Sequence, residues 1–172
     1  MNISAPGYEP VTGSLTTPTF PNIDSLVQRN IKADTITASE PFDIYWDNQN
    51  EGKGFITGEV ISRIWFEDSI SSDCGYFDPL IIDFSDVDKN PTSVFPWICN
   101  ETLESFPVQD YFIRLTSMDE NYYEYFILGE SGEYSNALLN YPTTKGRSVG
   151  IEGGFGFFGS IASDGLLLRI SP

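Results

Sequence analysis

The sequence predicts an all-β, β-rich protein: an antiparallel β-sandwich-like domain with one short α-helix. Three observations point there. Aromatic residues are abundant, with 13 Phe, 9 Tyr and 3 Trp in 172 residues, and aromatic and β-branched side chains favour strands. Glycine (15) and proline (11) recur along the chain and break it with frequent turns. Short runs with alternating apolar residues outnumber any with helical spacing.

Residues 2–18, NISAPGYEPVTGSLTTP, read as the last hairpin of a small β-domain. Pro6-Gly7 makes its turn, and Val11 and Leu15 point inward. The segment TPTFPNIDSL follows, with Pro18 and Pro21 stiffening an extended linker. A boundary therefore falls here, with residues 1–18 as a remnant hairpin plus linker and residues 19–172 as the β-sandwich-like domain.

Residues 31–36 alternate loosely. Residues 42–47 form a strand that ends in the polar run DNQNEGKG. Residues 55–67, FITGEVISRIWFE, read as a long strand. Residues 80–84 form a short apolar run suited to a buried strand, and residues 111–115 alternate and should pair centrally. One helix is expected next. Ser117 and Glu120 fit the capping box Ser-x-x-Glu, Asp119 and Glu120 suit a first turn, and Tyr122, Tyr125 and Phe126 share a face. Gly129 or Gly132 stops it. Residues 147–151 and 160–170 supply the last strands.

Composition removes several function classes. The formal net charge is −16, from 25 acidic and 9 basic residues. Phosphate backbones demand clustered Lys and Arg, so nucleic acid is excluded as a partner. An anionic membrane surface would repel the chain. The plain reading of the acidity is solubility in a salty or extracellular setting, and the sharper one is cation binding. The absence of histidine removes Ser-His-Asp and Cys-His catalysis and His-ligated metals. Cys74 and Cys99 either pair or stay free. Their even number favours a disulfide, worth on the order of 3 kcal/mol. No apolar run approaches the ~20 residues of a transmembrane helix, and MNISAPGYEP has no signal-peptide pattern.

Gly154, Gly156 and Gly159 fit G-x-G-x-x-G, the pattern of a dinucleotide loop. Such a loop needs a helix directly after it. Here SIASDGLLLRI follows and reads as a strand, so the nucleotide reading fails. Gly153, Gly154, Phe155, Gly156, Phe158 and Gly159 instead form a structural motif, with glycines allowing close backbone contact and phenylalanines packing.

No cofactor is expected, and calcium is the one candidate ion. Asp86, Asp88 and Asn90 place oxygen donors at alternate positions, with Asp83 close by. An EF-hand is rejected because Pro91 stands where glycine is needed and Trp97 where glutamate is needed. Glu59, Glu67 and Asp68 could supply a carboxylate pair for glycoside hydrolysis. Tyr45, Trp46, Trp65, Phe66, Tyr76 and Trp97 form either an exposed platform or, as in most β-sandwiches, core.

Three stretches carry a family resemblance. ISAPGYEPVTGSLTTPTFPNIDSL, YFIRLTSMDENYYEYF and SVGIEGGFGFFGSIAS resemble, in order, parts of the Bacteroidota outer-membrane-associated lipoprotein family known as domain of unknown function 4249. The first looks like the passage closing that family's N-terminal β-domain. The third is similar to its near-terminal aromatic–glycine signature, with Gly150 where asparagine is usual. The resemblance covers most of the chain and is weakest over residues 68–109. It implies the C-terminal part of an exported, lipid-anchored protein working beside TonB-dependent receptors, with no catalytic residues to carry over.

The expected function is therefore non-enzymatic: a cell-envelope accessory or binding module, outer-membrane-associated or extracellular. Its partners would be an outer-membrane receptor or a glycan or peptide ligand. The alternatives are a carboxylate-dependent glycan hydrolase and a structural or adhesive surface domain.

Overall fold

The computed structural model describes residues 1–38, 40–47, 51–62, 76–96, 98, 109–128, 148–154 and 156–171. Among them the chain is all-β with one short helix. It begins with β1 (Asn2–Ile3), β2 (Val11–Gly13), β3 (Ile23–Gln28), β4 (Ile31–Lys32) and β5 (Thr35–Thr37). β6 (Phe42–Trp46), β7 (Lys53–Ser62), β8 (Tyr76–Asp83) and β9 (Thr92–Val94) follow. β10 (Gln109–Met118) leads into α1 (Glu120–Tyr122), and the chain closes with β11 (Ser148–Val149), β12 (Ile151–Glu152), β13 (Gly156–Phe157) and β14 (Ile161–Ser171).

The chain divides into two compact units. One joins Met1–Thr19 with Ser117–Ala162, and the other joins Phe20–Thr116 with Ser163–Pro172. Residues 19–172, expected as one domain, are shared between the two units. The segment ahead of them is grouped with residues from the last third of the chain.

The larger unit carries two sheets. One has the order β4-β3-β6-β9, and the other β5-β14-β10-β7-β8. The pairs β3–β4, β3–β6, β6–β9 and β7–β8 are antiparallel. The β14–β5 pair is parallel, a departure from a purely antiparallel sandwich. Arg29 and Asn30, both at positive φ (53° and 61°), form the two-residue turn between β3 and β4. That is the turn geometry whose twist matches an antiparallel hairpin.

Both sheets feed one core. Leu26, Phe42, Ile44 and Trp46 come from the four-stranded sheet, and Ile56, Tyr111, Ile113, Leu115 and Leu168 from the five-stranded sheet. Phe42 meets Tyr111 edge-to-face, with ring centroids 6.3 Å apart. Residues 111–115 behave as their alternation predicts, since β10 lies third of five in its sheet and Tyr111, Ile113 and Leu115 are fully buried.

Residues 80–84 do not form a fully buried strand. Successive side chains of β8 point to opposite faces, so Ile81 faces away from Ile82 and Phe84, and Leu80 stands beside a register shift in the β7–β8 pair. Ile82 and Phe84 are inside, whereas Leu80 and Ile81 are about 40 % exposed. The strand expected over residues 55–67 is described to Ser62 as part of β7, and residues 63–67 lie outside the described residues.

The smaller unit has a three-stranded sheet, β1-β2-β12, and a two-stranded parallel pair, β11-β13. The Pro6-Gly7 turn forms as expected. Tyr8 N–H donates to Ala5 O at 3.2 Å and Gly7 has φ +83°, a type II turn with proline first and glycine second. Val11 and Leu15 are half-buried.

The helix departs from its expected cap. Ser117 still belongs to β10, and its hydroxyl donates to Thr19 O at 2.5 Å. Asp119 is the N-cap, its carboxylate accepting from Tyr122 N–H at 2.8 Å. The capping box fails because the strand runs three residues beyond the alternating stretch 111–115, to Met118. After α1 the chain widens into a π turn over Tyr123–Ile127, which clusters Tyr122, Tyr125 and Phe126 around Phe157 with centroids 4.6–5.9 Å apart.

Candidate functional site

A groove of about 510 Å³ in the larger unit is lined by Asp24, Tyr45, Trp46, Asp47, Val87 and Asn90. Local backbone features place each of these. Opposite β6, β3 carries one extra residue: Ile23 pairs with Trp46 and Ser25 with Tyr45. Asp24 is that bulged residue, and a bulge re-aims the side chain it carries. The adjoining Ile23 N–H donates to Asp164 Oδ2 at 2.8 Å, and Asp24 Oδ2 accepts from Ser25 Oγ at 2.9 Å.

β6 alternates strictly. Phe42, Ile44 and Trp46 are buried, while Asp43 and Tyr45 are half-buried on the other face. Trp46 packs edge-to-face on Phe84 at 6.1 Å. Beyond β6, Asp47 N–H donates to Asn22 O at 3.1 Å, holding the strand end beside the bulge.

Asn90 completes the wall. Its Oδ1 accepts from Trp46 N–H at 3.3 Å and its Nδ2 donates to Trp46 O at 2.9 Å. One side chain thus does for Trp46 what a neighbouring strand would do. The loop that presents Asn90 is bonded within itself. Asp83 Oδ1 accepts from Ser85 N–H at 3.0 Å and from Ser85 Oγ at 2.5 Å. Asp86 caps the 3₁₀ turn Val87–Lys89 through Asp88 N–H at 3.2 Å. The Ser85 hydrogen bonds hold the Asp83 carboxyl below its ordinary range.

These contacts define what the proposed calcium ligands do. Asp83 and Asp86 accept hydrogen bonds from their own loop, and Asn90 is bonded to the Trp46 backbone. Among the described residues no group of three or more His, Cys, Asp or Glu is arranged to hold a metal. Glu59 sits exposed on β7, while Glu67 and Asp68 lie outside the described residues. So do Cys74, Cys99, Trp65, Phe66 and Trp97. Of the aromatic platform, Trp46 is core and Tyr45 lines the groove.

The glycine run is followed by a strand, as expected from SIASDGLLLRI. β14 begins at Ile161, where a nucleotide loop would need a helix. Gly153 (φ +80°) and Gly154 lie against Pro10 and Val11, and a Cβ on Gly153 would stand 2.5 Å from Pro10 O. Gly156 pairs with Ser148, and Phe158 N–H donates to Val149 O at 3.0 Å. A Cβ on Gly159 would stand 2.4 Å from Phe157 Cζ and 2.9 Å from Asp119 Oδ1. Phe155 lies outside the described residues.

Asp24, Asp47 and Val87 carry no signal in the sequence. Asp24 falls in a stretch that reads as linker, and a bulge is invisible until the partner strand's register is known. Comparison with protein-family models, with curated proteins and with solved structures finds no match to this chain. The class of protein is thus given by the fold alone: an all-β protein with one short helix. Among the described residues no helix is long and apolar enough to cross a membrane.

Proposed function

We propose that the protein is a non-enzymatic binding module of the cell envelope, and that its groove takes a polar, hydroxyl-rich ligand of the glycan type. The observation that carries this reading is the groove's construction. Two carboxylates, Asp24 and Asp47, lie beside the half-buried Tyr45 ring, on a strand end bonded to Asn90. Sugar hydroxyls donate to carboxylates while the C–H face of the ring packs on an aromatic. Few polar groups at fixed positions on a rigid sheet make a binding site selective. The sequence resemblance supports placement at the outer membrane beside a TonB-dependent receptor.

The test is binding of the purified protein to a glycan panel, repeated with Tyr45→Ala and Asp47→Asn. Each variant is expected to weaken binding at least about 10-fold, which corresponds to ~1.4 kcal/mol. Release of shortened products from a bound glycan would favour the hydrolase alternative. Wild-type binding by both variants would remove the groove from the proposal. Fractionation of the native host tests the location, with recovery in the outer-membrane fraction expected.

A further inference from the structure

The outer face of the five-stranded sheet brings arginines together with exposed apolar side chains. Alternation sorts its two adjacent strands β10 and β14. On β10, Tyr111, Ile113 and Leu115 are buried, so Phe112 and the exposed Arg114 stand on the other side. On β14, Leu168 and Ile170 are buried, so Leu167 and Arg169 stand outside, with Leu167 50 % exposed. The one carboxylate on this side of β10, Asp110, is buried. The exposed carboxylates of the face, Glu59 and Asp83, belong to β7 and β8.

Two details show that the patch is built. The Phe112 ring lies against Gly165 of β14, where a Cβ would stand 2.5 Å from its Cζ. A glycine inside a strand marks such a close approach. The Arg114 guanidinium in turn sits 5.3 Å from the centroid of that ring, a cation–π contact that holds the charge at a fixed place. Carboxylates outnumber cations 25 to 9 in this chain, and Arg29 pairs with Glu40. Arg114 and Arg169 have no ion pair among the described residues.

We propose that the β10–β14 face docks an acidic polypeptide segment, whose carboxylates meet Arg114 and Arg169 while an apolar side chain covers Leu167. Arginine and aromatic residues are enriched at protein interfaces, and unmatched charge selects a partner of opposite sign. A flat sheet face offers area rather than enclosure, which suits a polypeptide more than a small anion. A second copy docked face to face would set these arginines against each other. The face shares no residue with the groove and does not depend on the groove reading.

Fluorescence anisotropy with the full chain and a labelled synthetic peptide of repeating Glu-Ser-Leu-Ser tests the proposal. Extended, that peptide presents glutamate and leucine on one face. Saturable binding is expected, stronger at low salt, where charges are less screened. Arg114→Glu and Arg169→Glu should each weaken it at least about 10-fold, and Leu167→Ser several-fold. Arg169→Gln, exposed and outside the ring contact, keeps the test valid if Arg114→Glu misfolds. The groove variant Asp47→Asn should bind the peptide as wild type does. No saturable binding up to about 1 mM, equal binding of a Lys-Ser-Leu-Ser peptide, or wild-type affinity in the arginine variants would overturn the assignment. Two further results would also overturn it. Binding to phosphatidylglycerol vesicles that the arginine variants lose would put a lipid surface in the peptide's place, and self-association that they lose would put a second copy there.

Discussion

The carboxamide of Asn90 closes a two-bond pair with the backbone of Trp46, accepting from its N–H at 3.3 Å and donating to its carbonyl at 2.9 Å. Asn90→Ala would leave both backbone groups without this partner and should lower stability by ~1–3 kcal/mol. Asn90→Asp keeps the acceptor and loses the donor, so it should fall between alanine and wild type. Urea unfolding of the three proteins checks the order. Equal losses in the two variants would show that the carboxamide does not act as a paired donor and acceptor.

Gly150 and Gly159 should each reject alanine, for different reasons. Gly150 has φ +71°, and a Cβ there would stand 2.3 Å from Phe158 O. Left-handed backbone alone costs an alanine ~1–2 kcal/mol, and a contact with backbone adds to it. Gly159 has no conformational demand, and its obstacles are the Phe157 ring and Asp119. Overpacking of this kind typically costs ~1–3 kcal/mol. Gly159→Ala in a Phe157→Leu background should recover part of its loss, whereas Gly150→Ala should not, as thermal melts of the single and double variants would report.

The run Leu166-Leu167-Leu168 on β14 separates inside from outside. Leu168 is 1 % exposed and Leu167 is 50 % exposed. Leu168→Ala should therefore cost ~2–5 kcal/mol through the cavity it leaves. Leu167→Ala should stay within about 0.5 kcal/mol. Denaturant midpoints of the two variants check the register of the strand, and a reversal of the two values would mean that the strand faces the other way.

Stability should fall at both ends of the pH scale through two identifiable groups. The Asp83 carboxyl is lowered by its Ser85 hydrogen bonds. Its contribution is present above the unfolded aspartate value of ~3.9 and is lost as pH falls through the lower folded value. Solvent screening keeps the effect small. Ser85→Ala should flatten that acid limb. The Tyr111 phenol is raised, first by burial and then by the charge of Glu59. Its contribution is complete below the unfolded tyrosine value of ~10 and is lost as pH rises towards the folded one. Tyr111→Phe should lose less stability than wild type above pH ~10. Stability measured against pH for the two variants and wild type checks both limbs.

Much of the fold was legible because the relevant signals are local. The alternation of Tyr111, Ile113 and Leu115 names the buried face of β10 without reference to any other strand. Pro6-Gly7 names its turn by backbone preference alone. The errors come from non-local facts. Residues 80–84 look buried by composition, but Ile81 faces away from Ile82 and Phe84, and Leu80 stands beside a register shift that only the pairing with β7 reveals. Ser117 carries a good capping pattern, yet it stays in β10, and Asp119 takes the cap. The groove was illegible for the same reason: Asp24 reaches it through a bulge defined by the register of β3 on β6.

The pairing of β2 with β12 has a consequence for biosynthesis. Gly13 finds its partner Ile151 only about 140 residues later, which at roughly 5–20 residues per second means a wait of about 7–28 s. During that interval one edge of β2 has no strand beside it, and open edges invite pairing with other chains. The β3–β6–β9 sheet needs nothing beyond Val94 for its registers, so it can assemble in the meantime. For these pairings the order of synthesis and the order of completion are opposed: β2 is made before β3, β6 and β9 yet is closed after them, and a chaperone that shields residues 1–19 would act there.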